Sequence, residues 1–187
     1  MCFGVIAYRR TSVVTDTRRR CIIALCSRMG TLADIIQALR LPTPCGGTLL
    51  NWLIAEDEAD IRMLVATMAQ VWGHTPMPFE SGQKVWDFLD KVQAGEHTDP
   101  LPEFALMDIR MPGRSGNEVA LKIRGTAPIQ NIPIVLMTAF VLTDDERRAM
   151  MTDYQVDHII NKPLPDFMEL KSLLEGIIAR KRNDTAR

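Results

Sequence analysis

From residue 50 onward, short apolar blocks alternate with longer stretches in which apolar residues return every three or four positions. The short blocks read as strands buried in a sheet and the periodic stretches as helices with one apolar face, so the chain runs strand, helix through five repeats. LNWLIA (50–55) is the first strand. A helix over 59–72 places Ile61, Leu64, Val65, Met68 and Val71 or Trp72 on one face. TPMPFE (75–80) predicts a second strand, confined to an edge because neither Pro76 nor Pro78 can donate to a ladder. The helix over 82–94 turns Val85, Trp86, Leu89 and Val92 inward and stops near Gly95. FALMD (104–108) is the third strand, ended by MPG. Ser115 caps a helix over 115–124 that buries Val119, Ala120 and Ile123. IPIVLMTA (132–139) is almost continuously apolar, as a strand covered on both faces requires. Thr143 and the acids after it open a helix to 153, where acids suit the positive end of the helix dipole. VDHIIN (156–161) is the last strand, KPLP turns the chain, and a helix over 166–181 ends in the basic ARKR. The pattern predicts an α/β fold: a doubly wound, five-stranded parallel sheet flanked by five helices in three layers.

Charge divides the chain. Residues 1–48 hold seven Lys or Arg against two acids, whereas 49–187 hold fifteen against twenty-one. All four cysteines (Cys2, Cys21, Cys26, Cys45) lie in the first segment, irregularly spaced and with no nearby histidine, which indicates neither a zinc site nor a disulfide framework. A boundary follows close to residue 48, just after the turn-forming PTPCGG. Residues 49–182 form the domain and 183–187 a short tail. The N-terminal extension has one helix candidate, 31–41, with Leu32, Ile35, Ile36 and Leu39 in register. That helix could dock on the domain or a partner; alternatively, translation starts near Leu49 or Leu50 and 1–48 is poorly ordered or a mis-assigned start. No stretch approaches the roughly 18 uninterrupted apolar residues of a membrane span, and the opening residues lack the apolar centre of a secretory signal. A cytoplasmic protein is expected. The net acidity of the domain argues against direct binding to nucleic acid.

Ligands of an open parallel sheet bind beyond the carboxyl ends of its strands. The residues there are Glu56, Asp57 and Glu58 after the first strand, Asp108 at the end of the third, Thr138 near the end of the fourth, and Lys162 with Pro163 after the fifth. Singly these residues are unremarkable: an acid after a strand serves as well as a helix cap, and a strand threonine or a lysine before proline is ordinarily a surface or packing residue. Jointly they converge on one rim. Three carboxylates brought together repel and favour protonation unless a cation joins them. Magnesium, which takes a few carboxylate oxygens together with phosphate oxygens, suits Glu56, Asp57 and Asp108. Lys162 as a point charge and Thr138 as a hydroxyl donor suit a phosphoryl group.

LIAEDE, LMDIRMPGRSG, VLMTAF and INKP, in that order and at these spacings, closely resemble the receiver domain of bacterial two-component response regulators, over about 50–182. The resemblance implies a CheY-like, flavodoxin-like fold in which Asp108 is phosphorylated. It implies that Glu56, Asp57 and Asp108 hold magnesium with the backbone carbonyl of Arg110, that Thr138 and Lys162 contact the phosphoryl group, and that the Lys162–Pro163 bond is cis. A sensor histidine kinase or a histidine phosphotransfer protein would supply the phosphoryl group, and the face formed by the fourth helix, fifth strand and fifth helix would carry the signal to a protein target. Only a few polar residues follow the last helix, so a stand-alone receiver is expected.

One position departs from the family. Three residues before the lysine, receivers usually carry Tyr or Phe; here it is Ile159. Phe140, two residues after Thr138, could take that space or cover the site against water. Arg110, beside Asp108, could tune the lifetime of the phosphoryl group or simply be solvated. Two other functions stay open: a magnesium-dependent phosphatase acting through an aspartyl phosphate, which would need an acid where Arg110 stands, and a binding module that signals without phosphate.

Overall fold

The structure, a computed structural model, describes residues 49–185. The candidate helix at 31–41, and the boundary and start-site readings for the N-terminal segment, lie outside the described residues. Five strands form one sheet in the order β2-β1-β3-β4-β5: β1 (Asn51–Ala55), β2 (Thr75–Phe79), β3 (Phe104–Asp108), β4 (Ile134–Thr138) and β5 (His158–Asn161). Every pair is parallel. Among the described residues the helices are α1 (Ala59–Val71), α2 (Gly82–Ala94), α3 (Gly116–Arg124), α4 (Asp144–Asp153) and α5 (Phe167–Thr185), with a 3-10 turn at Ala127–Ile129 before β4. This is the doubly wound α/β/α sandwich expected from the alternation of patterns.

Strand side chains alternate between two cores, as the pleat dictates. Trp52, Ile54, Phe104, Leu106, Val135 and Met137 pack against α1 and α5 on one face. Leu53, Ala55, Ala105, Met107, Ile134 and Leu136 pack against α2 and α3 on the other. Strand β2 sits at the edge, where the missing N–H groups of Pro76 and Pro78 cost no ladder bond. The helix starts follow their caps. Ser115 and Thr143 each accept from the backbone N–H three residues on, and Glu118 and Glu146 accept in return from the cap residue, two complete capping boxes.

The helical faces need three corrections. In α1, Val65 is buried and Ile61, Met68 and Trp72 pack against the core as expected, but Leu64 is 50% exposed; of the pair Val71 or Trp72, Val71 is the one left out, 68% exposed. Small Ala69, also fully buried, joins that face in place of Leu64. Trp86 is only half-buried, its ring lying between the Arg114 guanidinium (4.4 Å) and the Lys122 ammonium (4.9 Å) rather than in the core. Finally, α5 continues past the expected end at 181 to Thr185, taking in residues assigned to the tail, because no Gly or Pro stops it there.

At the amino ends of the strands, Arg124 closes the fold. Its guanidinium donates to the carbonyls of Gln130 (2.8 Å) and Ile132 (2.7 Å), its Nε to the carbonyl of Gln155 (2.9 Å), and Nη2 pairs with Asp157 at 2.9 Å. Asp157 in turn accepts from Ile134 N–H and from Lys181 Nζ, both at 2.8 Å. One guanidinium thus satisfies three loop carbonyls and a carboxylate that positions β4. Replacing it strands several partners at once. Arg124→Met is expected to lower the unfolding free energy by about 3 kcal/mol, the lower end for breaking a buried pair because Lys181 still reaches Asp157. Urea unfolding with an unchanged slope checks it.

Candidate functional site

The carboxyl ends of β1, β3, β4 and β5 bring Asp57, Glu58, Asp108, Arg110, Thr138, Phe140 and Lys162 around a cavity of about 240 Å³. Glu56 is fully buried beside it, paired with Lys162. Asp108 is 7% exposed, Thr138 is buried, and Asp57 faces solvent. A carboxylate oxygen from each of Glu56, Asp57 and Asp108 lies within 4.8 Å of the others. Glu58 lines the cavity mouth but stands outside that triad.

Two features of the chain hold the acids in place. Arg62, on α1, donates from Nη1 to the backbone carbonyls of Glu56 (2.6 Å) and Asp57 (3.1 Å), pinning the acidic loop from behind. Behind Asp108, Gly116 comes so close that a Cβ there would lie 2.2 Å from the Asp108 carbonyl oxygen. Its N–H donates to the carbonyl of Ile109, and Gly113 (φ 82°) takes the left-handed conformation that completes the turn. The MPGRSG segment therefore folds back under the strand end rather than across it. Sequence reasoning missed Arg62: an arginine near the start of a helix carries no local mark of a partner one loop away.

Lys162 bridges the two buried acids. Its Nζ lies 2.6 Å from Asp108 Oδ2, 3.0 Å from Glu56 Oε1 and 2.8 Å from Glu56 Oε2, and its peptide bond to Pro163 is cis. Glu56 Oε2 makes no hydrogen bond of good geometry despite its burial. Burial raises the Glu56 pKa above the ordinary glutamate value; the Lys162 hydrogen bond opposes this and the Asp108 charge adds to it. Burial also works against the Lys162 ammonium, but its hydrogen bonds and proximity to Asp108 and Glu56 prevail and raise its pKa. The Lys162 ammonium is thus shared by two carboxylates, Glu56 and Asp108. The clustered carboxylate oxygens of Glu56, Asp57 and Asp108, a hard donor set, fit a divalent cation such as magnesium.

The other positions fall as follows. Thr138 Oγ1 accepts from Phe140 N–H at 3.1 Å, and the Thr138 carbonyl accepts from Lys162 N–H at 2.6 Å. Arg110 N–H donates to Asp108 Oδ1 at 3.2 Å, while its guanidinium carbon sits 3.9 Å over the Phe140 ring. Phe140 is 44% exposed at the cavity mouth. Ile159 is buried in the core with Leu136 and Val156, so Phe140 and Ile159 occupy separate places.

A doubly wound α/β sandwich with an acid triad, a bridging lysine and a threonine at the carboxyl rim defines the receiver class of signalling domain. The chain belongs to the response regulator receiver domain family, whose profile it matches over residues 52–175. It is 31% identical over 127 residues to a probable methanogenesis regulatory protein, FilR2, of Methanothrix harundinacea, covering 67% of this chain and 79% of the relative. It is 30% identical over 125 residues to the polar-differentiation response regulator DivK of Brucella ovis, covering 65% of this chain and 94% of the relative. Against longer regulators such as the phosphate regulon transcriptional regulatory protein PhoB of Pseudomonas aeruginosa, it spans 51% of the relative's length. Among solved structures, a CheY-like receiver domain protein of Methanospirillum hungatei shares the fold with a TM-score of 0.59 at 17% identity, over 73% of this chain and 99% of that one. The receiver domain of sensor histidine kinase PA1611 of Pseudomonas aeruginosa, whose active-site cleft coordinates a magnesium ion, gives 0.57 at 20% identity, over 71% and 99%. Among the described residues, no helix is long and apolar enough to cross a membrane.

A buried carboxylate whose pKa is raised costs the fold free energy when it ionises. Stability from a protonated Glu56 is present below the ordinary glutamate value and lost as pH rises through the raised one. Glu56→Gln is therefore expected to raise the metal-free melting temperature near pH 7 by a few degrees. The gap over the wild type should narrow as the pH falls through the range where Glu56 takes up its proton. Thermal unfolding in a chelator across that range measures it. Added magnesium should stabilise the wild type more than the variant.

Proposed function

We propose that this receiver accepts a phosphoryl group on Asp108 from the phosphohistidine of a sensor histidine kinase or a histidine phosphotransfer protein, in a magnesium-dependent reaction. The observation that carries this reading is the placement of Lys162 Nζ between Asp108 and Glu56, with the Thr138 hydroxyl in the same cavity. Glu56, Asp57 and Asp108 would hold magnesium, with the backbone carbonyl of Arg110 as a further oxygen. Bound there, the ion would supply charge neutralisation for the carboxylates and the transferring phosphoryl oxygens. An Asp108 carboxylate oxygen forms the new O–P bond as the P–N bond breaks, and the bonding electron pair stays with the departing imidazole. Lys162, held as an ammonium by its carboxylate neighbours, attracts the phosphoryl oxygens, and Thr138, whose oxygen already accepts from Phe140 N–H, has its own proton to donate to them. The domain thus promotes its own phosphorylation and later hydrolysis without being a conventional enzyme. Its output is protein contact, through the face of α4, β5 and α5, in the cytoplasm. A phosphatase reading lacks its acid, because Arg110 stands two residues after Asp108 with its guanidinium on Phe140.

Incubation with a small phosphoryl donor and magnesium should add the mass of one phosphoryl group, seen in the intact protein and absent from Asp108→Asn. A wild type that gains no mass under these conditions contradicts the proposal. The Arg110–Phe140 stack at the cavity mouth limits the approach of water to the adduct. Phe140→Ala is expected to speed adduct hydrolysis about 2- to 5-fold, the kinetic equivalent of one exposed cation–π contact. Loss of labelled phosphate over time measures this, and an unchanged rate excludes the screening role.

A further inference from the structure

Helix α4 is attached to the domain unlike its neighbours. It contributes no fully buried side chain, whereas α1, α2, α3 and α5 each bury two or more. Met150 and Met151 only partly pack on the core. A polar tie supplements them: Arg147 donates from Nη1 to the carbonyl of Ile159 and from Nη2 to Asn161 Oδ1 at 2.8 Å. Both acceptors belong to β5, immediately before Lys162. Asn161 pairs in register with Thr138, and the next N–H, that of Lys162, donates to the Thr138 carbonyl. An unbroken set of contacts therefore leads from the Asp108 carboxylate through Lys162 and Asn161 to the Arg147 fork on α4.

Resting on the phosphoacceptor reading above, we infer that Arg147 is a positioning residue that fastens α4 to the lysine end of β5, and that formation of the Asp108 adduct releases this tie. The reason is geometric. Lys162 Nζ now lies 2.6 Å from Asp108 Oδ2, and a phosphoryl group on that carboxylate must displace it. The strand end that carries Lys162 is bonded to Thr138, which faces the same phosphoryl oxygens, so both residues shift together. A guanidinium fork on two acceptors has a fixed planar geometry and loses its alignment when the acceptors move by a fraction of an ångström. The side chain at 159 is aliphatic and buried in the core, so in this chain the polar contacts of Arg147 connect the end of β5 to α4.

Hydrogen exchange of the full chain tests the inference, with beryllium fluoride and magnesium as the phosphoryl mimic and fluorine NMR reporting adduct occupancy. In the wild type, adduct formation should speed exchange of the α4 amides at least about 10-fold, the factor for losing even one of the two hydrogen bonds to the charged group. In Arg147→Met these amides should already exchange at the faster rate and gain nothing from the adduct, while β3 and β4 stay protected. Asn161→Ala, which removes an acceptor without touching the arginine, should behave likewise and serves if the first variant does not fold. A purely structural role would speed α4 in both variants but leave the adduct-dependent increment intact, and that result overturns the inference. So does α4 exchange in the variants as slow as in the wild type. Absence of the fluorine adduct in the wild type overturns the phosphoacceptor reading itself, a separate outcome read by a separate signal.

Discussion

The shared ammonium of Lys162 sets the terms for the whole carboxyl rim. Glu56 and Asp108 end adjacent strands, so the parallel register of β1 and β3 forces two buried carboxylates together. At about 4 Å and an effective dielectric of 20, each charge pair is worth about 4 kcal/mol, so the repulsion between the acids offsets a large share of what either gains from the lysine. The lysine arrives from β5, across the end of β4, and this is why Thr138 lies in the same cavity. Strand order, not sequence proximity, assembles the group. The site remains short of positive charge as built, which is a cost to the fold and the condition for holding a cation.

The opposite end of the sheet resolves its electrostatics in the other direction. Arg124, Asp157 and Lys181 provide two cations for one carboxylate, and the remaining guanidinium donors are taken up by loop carbonyls. Rigidity at the amino ends and unspent charge at the carboxyl ends belong together, because a rim that must accommodate new atoms needs strands fixed at their other ends. Helix packing follows the same gradient, from α3, wedged against the sheet by Val119, Ala120 and Ile123, to α4, which buries nothing completely.

Much of this was legible in the chain because it is written in local periodicity. The five strands, the caps at Ser115 and Thr143, the edge position of β2 and the rim acids each follow from a few consecutive residues. What was not legible depends on distant partners. Arg62, Arg124 and Arg147 look alike in sequence as charged helix residues, yet each finds backbone carbonyls on another element. Side-chain burial differed at Leu64 and Trp86 for a related reason: with apolar residues on several faces, only the neighbouring elements decide which face is covered, and Arg114 before α3 with Lys122 on it decided it for Trp86.

Ile159 shows how a single departure redistributes a fold's freedom. A branched aliphatic side chain at 1% exposure, packed among Leu136 and Val156, has restricted χ1 freedom and no polar end to draw it outward. Motion at the end of β5 must then be taken up by the backbone or by whatever rests upon it. The element resting there is α4, whose amino end is stiffened by the Thr143 capping box and whose body is secured mainly by partly buried methionines and an arginine. Methionine packing tolerates shifts that branched side chains resist. A rigid strand interior beneath a loosely seated helix concentrates the response to a shift at the β5 end in α4, while the buried parts of the strands stay in place.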